Sequence, residues 1–240
     1  MTPDKFLVIS DRPSDSPFVE RVWRSHSERA GTLLSVASPH CEMVVTSHAG
    51  NTRLTLRGPE TRATTIEYPA GAEWFGIRLA PGSFMTRHPA STLIDRNDVD
   101  LPSASSRSFW LEGSAWEYPD FENAETFVAR LVRSGLLARD AAVAAALRGE
   151  VQSLSRRSTQ RHFLQATGMT HATFRKIQRA RYAASLLRQG VSIADAVHEA
   201  GYYDQAHLSR SLRNLIGETP AGIGRRESQL SLLYKTDQLP

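Results

Sequence analysis

Two arginines in the last third of the chain stand in sequence surroundings that repeat. Arg161 and Arg210 lie 49 positions apart, and the residue types around them recur in the same order. The first copy runs Ser155, Arg157, Gln160, Arg161, Phe163, Gly168, Thr170, and the second runs Asp204, Ala206, Ser209, Arg210, Leu212, Gly217, Thr219. Arginine can pair with the O6/N7 edge of guanine, and glutamine with the N6/N7 edge of adenine. The repeated side chains could therefore contact a nucleic acid at two equivalent places.

Each copy has the signals of one helical unit. Ser155 and Asp204 are helix N-cap residues, and Gly168 and Gly217 are helix stops. Between them, one apolar residue faces inward and one arginine faces outward. The duplication of a charged surface together with a core predicts two equivalent contacts with one elongated anionic partner, for which duplex DNA is the natural candidate.

The distribution of charge agrees with this prediction. Residues 151–226 hold 12 Lys and Arg against 4 Asp and Glu, a net charge of +8, whereas residues 1–150 have a net charge of −3. A basic module joined to a neutral or acidic domain is typical of nucleic-acid-binding proteins. The alternative is an arginine-rich helical face that is simply solvated, and the repeat favours DNA.

The C-terminal segment is predicted to be helical throughout. Helices are expected from Asp140 to Leu147, from Ser155 to Ala166 and from Thr170 to Arg188, followed by two that begin at Ser192 and Asp204. The short connection of residues 200–204 has the length and the glycine of a helix-turn-helix corner. On the last helix, Leu208, Leu212 and Leu215 share the inward face and Ala206, Ser209, Arg210 and Arg213 the outward one.

These faces assign roles to particular side chains. We expect base contacts from Arg157, Gln160, Arg161 and Arg210, close approach or a thymine-methyl contact at Ala206 or Ser209, and a phosphate contact from Arg213. Arg175, Lys176 and Arg179 lie on the connecting helix and are expected near the DNA backbone, whereas Arg181 is close enough to the apolar stripe to be structural. That helix would span roughly 28 Å, which compares with about 34 Å between successive major grooves on one DNA face.

The N-terminal part is predicted to be rich in short strands. Strands are expected at 32–37, 43–47, 52–56, 63–68 and 73–79, with turn residues between them, as in a β-sandwich or barrel, a cupin-like one included. A connecting helix follows, with apolar residues from Phe121 to Val132 at helical spacing, and the serine-rich run 102–108 predicts a loop. The predicted class is α+β, with a β-rich sensor or dimerisation domain at 1–118, the connecting helix at 119–135, a DNA-binding domain at 136–226 and a tail at 227–240.

The helical segment resembles the DNA-binding domain of AraC-family transcriptional regulators. The resemblance covers about residues 140–224 and is strongest from Ser192 to Pro220, with the run GYYDQAHLSR. It implies seven helices with two helix-turn-helix motifs, whose recognition helices enter adjacent major grooves. By position in the family pattern, the base-contacting residues are Arg157, Gln160, Arg161, Gln205, Ala206, Ser209 and Arg210. In this chain, Gly149 to Leu154 lengthen the turn before the first recognition helix and leave its docking angle open.

The resemblance also implies partners. Double-stranded DNA comes first, and RNA polymerase, a second copy of the chain and a small-molecule effector of the N-terminal domain are further candidates. The segments SPFVERVW, RGPETRA and FGIRLAPGSF, the last followed by LIDR, are similar to a β-rich domain of undefined function that precedes this module in some regulators.

A catalytic or metal-binding role for the N-terminal part is the less favoured interpretation. His40, Cys41, Glu42 and His48 offer ligand types, but their spacing lacks a His-x-His pair followed by a glutamate. The aromatic residues Trp23, Trp74, Phe75, Trp110 and Trp116 could line a ligand pocket, although such residues in a β-domain are more often core. We therefore expect no catalytic residues, no metal and no cofactor.

Composition narrows the remaining classes. The single cysteine, Cys41, excludes an internal disulfide framework and a cysteine-based zinc finger, and no apolar run has the length of a membrane span. We expect a cytoplasmic, non-enzymatic regulator. The alternative is a small-molecule-binding protein or cupin-type enzyme whose basic helical domain serves protein contacts.

Overall fold

Strands dominate the N-terminal half and helices the C-terminal half. The computed structural model describes residues 7–95, 99–150 and 155–225, so the predicted tail at 227–240 lies outside the described residues. The strands are β1 (Leu7–Pro13), β2 (Val19–Ser27), β3 (Gly31–Ser35), β4 (Glu42–His48), β5 (Asn51–Arg57), β6 (Thr64–Tyr68), β7 (Glu73–Leu79), β8 (Ser83–Met85), β9 (Val99–Asp100), β10 (Ser103–Ser105), β11 (Ser108–Leu111), β12 (Ser114–Glu117) and β13 (Leu137–Arg139). The helices are α1 (Ala90–Leu93), α2 (Ala124–Arg133), α3 (Ala141–Leu147), α4 (Arg156–Thr167), α5 (His171–Arg188), α6 (Ile193–Glu199), α7 (Gln205–Leu215) and α8 (Pro220–Arg225). The predicted α+β class is confirmed.

The five predicted strands correspond to β3 through β7. Two further strands, β1 and β2, precede them. In the serine-rich run 102–108, which was predicted as a loop, Ser103–Ser105 instead form β10, which pairs with β11. The loop prediction was wrong because local composition does not show that a partner strand follows immediately at Ser108.

The described residues divide into two compact units. The first takes the described parts of residues 1–30, 40–59 and 69–170, and the second those of 31–39, 60–68 and 171–225. The predicted boundaries at 118, 135 and 226 follow the change from strands to helices rather than this division, and they stay a prediction.

A six-stranded antiparallel sheet forms the centre of the first unit, in the order β1-β2-β7-β4-β5-β9. Its buried side chains, among them Met43 and Ile77, pack in one core with Phe109 and Trp116 of the β10-β11-β12 sheet and with helix α2. Phe127 and Trp116 meet edge to face, with ring centroids 6.1 Å apart. The predicted apolar face of α2 is confirmed, because it is this face that closes the core.

The second unit combines helices with a two-stranded antiparallel sheet of the non-consecutive strands β3 and β6, which we call the hairpin. Strands β3 and β6 pair antiparallel from Gly31 opposite Tyr68 to Ser35 opposite Thr64. Helices α5, α6, α7 and α8 complete the unit, and α5 packs on each of the other three. Because residues 40–59 belong to the first unit, the two strands of this hairpin are joined through the sheet of that unit.

Candidate nucleic-acid interface

The predicted first helix-turn-helix motif corresponds to α3 and α4, whose connecting residues 151–154 lie outside the described residues. Ser155 is the N-cap of α4, and its hydroxyl oxygen accepts a hydrogen bond from the amide of Ser158 at 3.2 Å. The helix ends at Gly168, whose φ of +69° is the left-handed conformation that favours glycine. Phe163 and Ala166 are buried, as their inward assignment predicts.

A polar bond ties the two helices of this motif together. Asp140 is the N-cap of α3, and its Oδ1 accepts hydrogen bonds from the amides of Ala142 and Val143. Its other carboxylate oxygen lies 2.6 Å from Nδ1 of His162 on α4. One carboxylate thus caps the first helix and anchors the second.

The outward face of α4 is polar and begins at its first turn. Arg157, Gln160 and Arg161 are exposed, and Leu164, the next residue on the same face, is 42% exposed. Their spacing of three and four residues places them along one stripe of the helix. This stripe offers two guanidinium groups and one amide to a partner.

The second motif consists of α6 and α7, and its turn is fixed by several contacts. Gly201 has a φ of +66°, and Asp204 caps α7 by accepting a hydrogen bond from the amide of His207 at 2.6 Å. Tyr202 is buried in the turn, with its hydroxyl 2.9 Å from Oγ of Ser211 and its ring edge-to-face with His207. Leu208, Leu212 and Leu215 face inward and are buried, as predicted.

The outward face of α7 repeats the stripe of α4. The predicted contact residues on it are Gln205, Ala206, Ser209, Arg210 and Arg213, of which all are exposed except the half-buried Ser209. Ala206, Ser209, Arg210 and Arg213 have the spacing of Arg157, Gln160, Arg161 and Leu164. Each motif therefore presents an arginine at the same position of the same helical face.

The basic residues of α5 differ in their surroundings. Arg175 and Lys176 are exposed. Arg179 is half-buried, with its guanidinium carbon 4.6 Å from the centre of the Tyr202 ring and a hydrogen bond of 3.4 Å to the carbonyl of Gly201. Arg181 is 2% exposed and donates to the carbonyl of Ala37. The interpretation of Arg181 as a structural residue is therefore confirmed. Arg179 contacts the turn before α7, a role that the sequence did not reveal.

The two motifs belong to different units. Helix α4 is part of the first unit and α7 of the second. The described residues of each motif lie within a single unit. The predicted spacing of two adjacent major grooves stays a prediction.

Two of the ligand-type residues of the N-terminal part, His40 and Glu42, lie beside charged residues outside that set. Nε of Arg78, a fully buried residue, donates to Oε1 of Glu42 at 2.9 Å, and Nδ1 of His40 lies 3.4 Å from Oε2 of Glu20. Burial raises the pKa of the Cys41 thiol to about 12, so this thiol is protonated at neutral pH. Among the residues that the structure describes, no cluster of three or more His, Cys, Asp or Glu is placed to hold a metal ion.

An open groove of about 980 Å³ lies in the first unit. Its lining includes the aromatic residues Trp74, Phe75, Tyr118 and Phe121 and the polar residues Arg24, His26 and Glu73. Trp116 is core, while Trp110 is 47% exposed. Of the aromatic residues considered as pocket candidates, Trp74 and Phe75 therefore line a groove.

None of the helices in the described ranges is both long enough and apolar enough to cross a membrane.

The family model of a helix-turn-helix domain matches residues 150–226. The HTH-type transcriptional regulator RipA of Corynebacterium glutamicum is 38% identical over 72 residues, which cover 30% of this chain and 22% of that protein. The chain thus matches about a fifth of the length of this curated relative. No solved structure matches the chain.

Proposed function

We propose that this chain, whose residues 150–226 match the family model of a helix-turn-helix domain, is a sequence-specific DNA-binding transcription regulator of the AraC family. The observation that carries the proposal is the repeated exposed stripe on α4 and α7. Arg161 and Arg210 occupy equivalent positions on two helices that are N-capped, packed on their inner faces and polar on their outer faces.

The two stripes have the chemistry of base recognition. Arg157, Arg161 and Arg210 offer guanidinium groups suited to guanine, and Gln160 and Gln205 offer amides suited to adenine. Ala206 and Ser209 are small, so the backbone of α7 can approach the floor of a major groove. We propose that α4 and α7 each enter one major-groove segment and that the two segments are adjacent on one DNA face.

Phosphate contacts supply the sequence-independent part of the affinity. Arg175, Lys176 and Arg213 are exposed cations outside the two base-contacting sets, and Arg179 flanks the turn before α7. The net charge of +8 over residues 151–226 attracts the phosphate backbone over distances of about one Debye length, roughly 10 Å at 0.1 M salt.

The first unit supplies the regulatory input in this proposal. Its groove combines flat aromatic surfaces with cationic and carboxylate groups, which suits a small molecule that has an apolar body and polar substituents. A second copy of the chain and RNA polymerase are the protein partners we propose.

The experiment is selection of DNA by the purified full-length chain. A library of genomic fragments is incubated with the protein at fixed salt, and the retained fragments are sequenced. We expect a shared motif with two conserved segments about one helical turn, roughly 34 Å, apart. Retained fragments without a shared motif would contradict sequence-specific regulation and favour a helical domain that serves protein contacts.

A charge-matched pair of variants sharpens this selection. Arg161→Ala combined with Arg210→Ala removes two charges from the proposed base-contacting stripes, and Arg175→Ala combined with Arg213→Ala removes two charges elsewhere. The first pair should change the motif, whereas the second should keep the motif and weaken binding. If both pairs lose the same affinity and neither changes the motif, Arg161 and Arg210 contact phosphate and not bases.

The effector is tested by linkage. Metabolites are screened by thermal shift on the full-length chain, and each hit is measured with and without the selected DNA. An effector must change DNA affinity by the same factor by which DNA changes effector affinity. Substitution of Trp74 by Ala should abolish the shift, while the exposed Trp110→Ala serves as the control.

A further inference from the structure

We propose that the hairpin formed by β3 and β6 fixes the C-terminal end of α7, the second helix of the second helix-turn-helix motif, and so positions α7 for DNA binding. This inference rests on the proposed function, because it concerns the helix that we assign to base recognition. The hairpin lies in the strand-rich half of the sequence, more than a hundred residues before α7.

The hairpin caps the C-terminal end of α7 through its backbone. The last four carbonyl groups of an α-helix have no partner within the helix. The carbonyl of Leu215 accepts a hydrogen bond from the amide of Ala37 at 2.7 Å, and the carbonyl of Asn214 accepts one from the amide of Ala63 at 3.0 Å. Ala37 lies just after β3 and Ala63 just before β6. Two of the last four carbonyls of α7 therefore receive their hydrogen bonds from the N-terminal part of the chain.

Side-chain packing reinforces these two bonds. Gly217 follows α7 with a φ of +84°, and a Cβ there would lie 3.1 Å from Cβ of Ala63 and 3.2 Å from Cδ2 of Leu34. Ala37 is fully buried, and its carbonyl accepts a hydrogen bond from Arg181 of α5. Ala37 is therefore held from two sides, by α7 through its amide and by α5 through its carbonyl.

The two segments of the hairpin are locked to each other beyond the paired strands. Ser38 and Glu60 exchange backbone hydrogen bonds of 2.9 and 2.8 Å, and the hydroxyl of Ser35 donates to the Glu60 carboxylate. These contacts fix the separation of Ala37 and Ala63, which must match the spacing of two consecutive carbonyls on α7.

Chain connectivity gives this arrangement a consequence. Residues 40–59, which connect the two segments, form β4 and β5, and Val45, Ser47 and Thr52 of these strands line the groove. The two segments that flank β4 and β5 in the chain are thus the ones that donate hydrogen bonds to the carbonyls of α7.

The test uses Ala63→Leu in the full-length chain, with Thr65→Leu as the matched control. Ala63 packs under Gly217, whereas Thr65 is exposed on the same hairpin. Hydrogen exchange of the free protein is the first measurement. We expect Ala63→Leu to speed exchange at least tenfold in α7 and α8 while α4 and β7 keep their protection, and Thr65→Leu to change neither. Unchanged exchange in α7, or a uniform rise across the chain, would overturn the proposal.

DNA binding is the second measurement, since it separates positioning from general stability. With the selected DNA, Ala63→Leu should reduce discrimination at the base pairs that Arg210→Ala identifies and leave those identified by Arg161→Ala unchanged. Equal loss at both sets would overturn the positioning role. If the wild-type chain selects no DNA motif, the proposed function fails, and the exchange result alone decides whether the hairpin supports α7.

Discussion

His162 and Ser211 occupy the same position in the two copies of the repeat, and each bonds its helix to the residues that precede it. His162 lies 2.6 Å from the N-cap carboxylate of Asp140, and Ser211 lies 2.9 Å from the hydroxyl of Tyr202. The chemistry of the two bonds differs, but both start from the middle of the second helix of a motif. His162 of α4 contacts the N-cap of α3, and Ser211 of α7 contacts the turn before α7. The angle of each proposed recognition helix is therefore set by a polar contact as well as by apolar packing.

Removal of the Tyr202 hydroxyl tests this contact in the second motif. Tyr202→Phe keeps the ring under Arg179 and loses the hydrogen bond to Ser211, so we expect a loss of about 1 kcal/mol in the free energy of unfolding. Tyr203 is 92% exposed, and Tyr203→Phe is the matched control that should change nothing. Urea unfolding of both variants measures the difference, and equal stability of the two would contradict the role of this hydroxyl.

The assigned base contacts predict position-specific effects. Arg161→Ala and Arg210→Ala should each cost about 1–3 kcal/mol on the selected DNA and relax preference at one base pair. Arg213→Ala should weaken binding to all sequences about equally, because a phosphate contact carries no sequence information. Titrations against single-base variants of the site distinguish these patterns, and uniform weakening by all three variants would remove the base-reading assignment.

The sequence predicted these helices well because their signals are local. Ser155, Asp140, Ser192 and Asp204 are the N-caps in the structure, and Gly168 ends α4 as predicted. A cap is a property of a few consecutive residues, and so is a left-handed glycine.

The features that the sequence did not predict depend on distant partners. The docking of Ala37 and Ala63 on α7 joins residues from opposite halves of the chain, and no periodicity encodes it. Arg179 was expected near phosphate, but its position over Tyr202 depends on a residue 23 places further along the chain. The ion pair of Arg78 and Glu42 likewise arises only when β7 lies beside β4.

Phe163→Ala and Leu212→Ala test the two cores. Both side chains are fully buried at matching positions of the repeat, so each substitution should destabilise its surroundings by about 2–5 kcal/mol. Because α4 belongs to the first unit and α7 to the second, we expect exchange protection to fall first in a different unit for each variant. The exposed Leu164→Ala is the control, and an unchanged melting temperature for either core variant would show that its inward assignment is wrong.

Salt dependence tests the electrostatic part of binding in the full-length chain. The logarithm of the affinity should fall linearly with the logarithm of the salt concentration, with a slope of about −0.9 for each phosphate neutralised. Arg213→Ala should make this slope shallower by about 1. Affinity that does not change between low and moderate salt would contradict binding through the basic surface of residues 151–226.

The ion pair of Arg12 and Glu125 predicts a pH dependence in the first unit. Arg12 donates to both carboxylate oxygens of Glu125, at 2.6 and 2.9 Å, and these bonds hold the pKa of Glu125 at about 2, below its ordinary value of 4.5. Because the pKa is lowered by folding, the stabilisation is present above pH 4.5 and is lost as the pH falls toward 2. Glu125→Gln should therefore be less stable than the wild type at pH 7, and the difference should shrink as the pH is lowered from 4.5 to 3.

Urea unfolding from pH 7 to pH 3 measures this difference in stability, with the exposed Glu117→Gln as the control. A difference between Glu125→Gln and the wild type that stays constant from pH 7 to pH 3 would show that the ion pair does not contribute to stability.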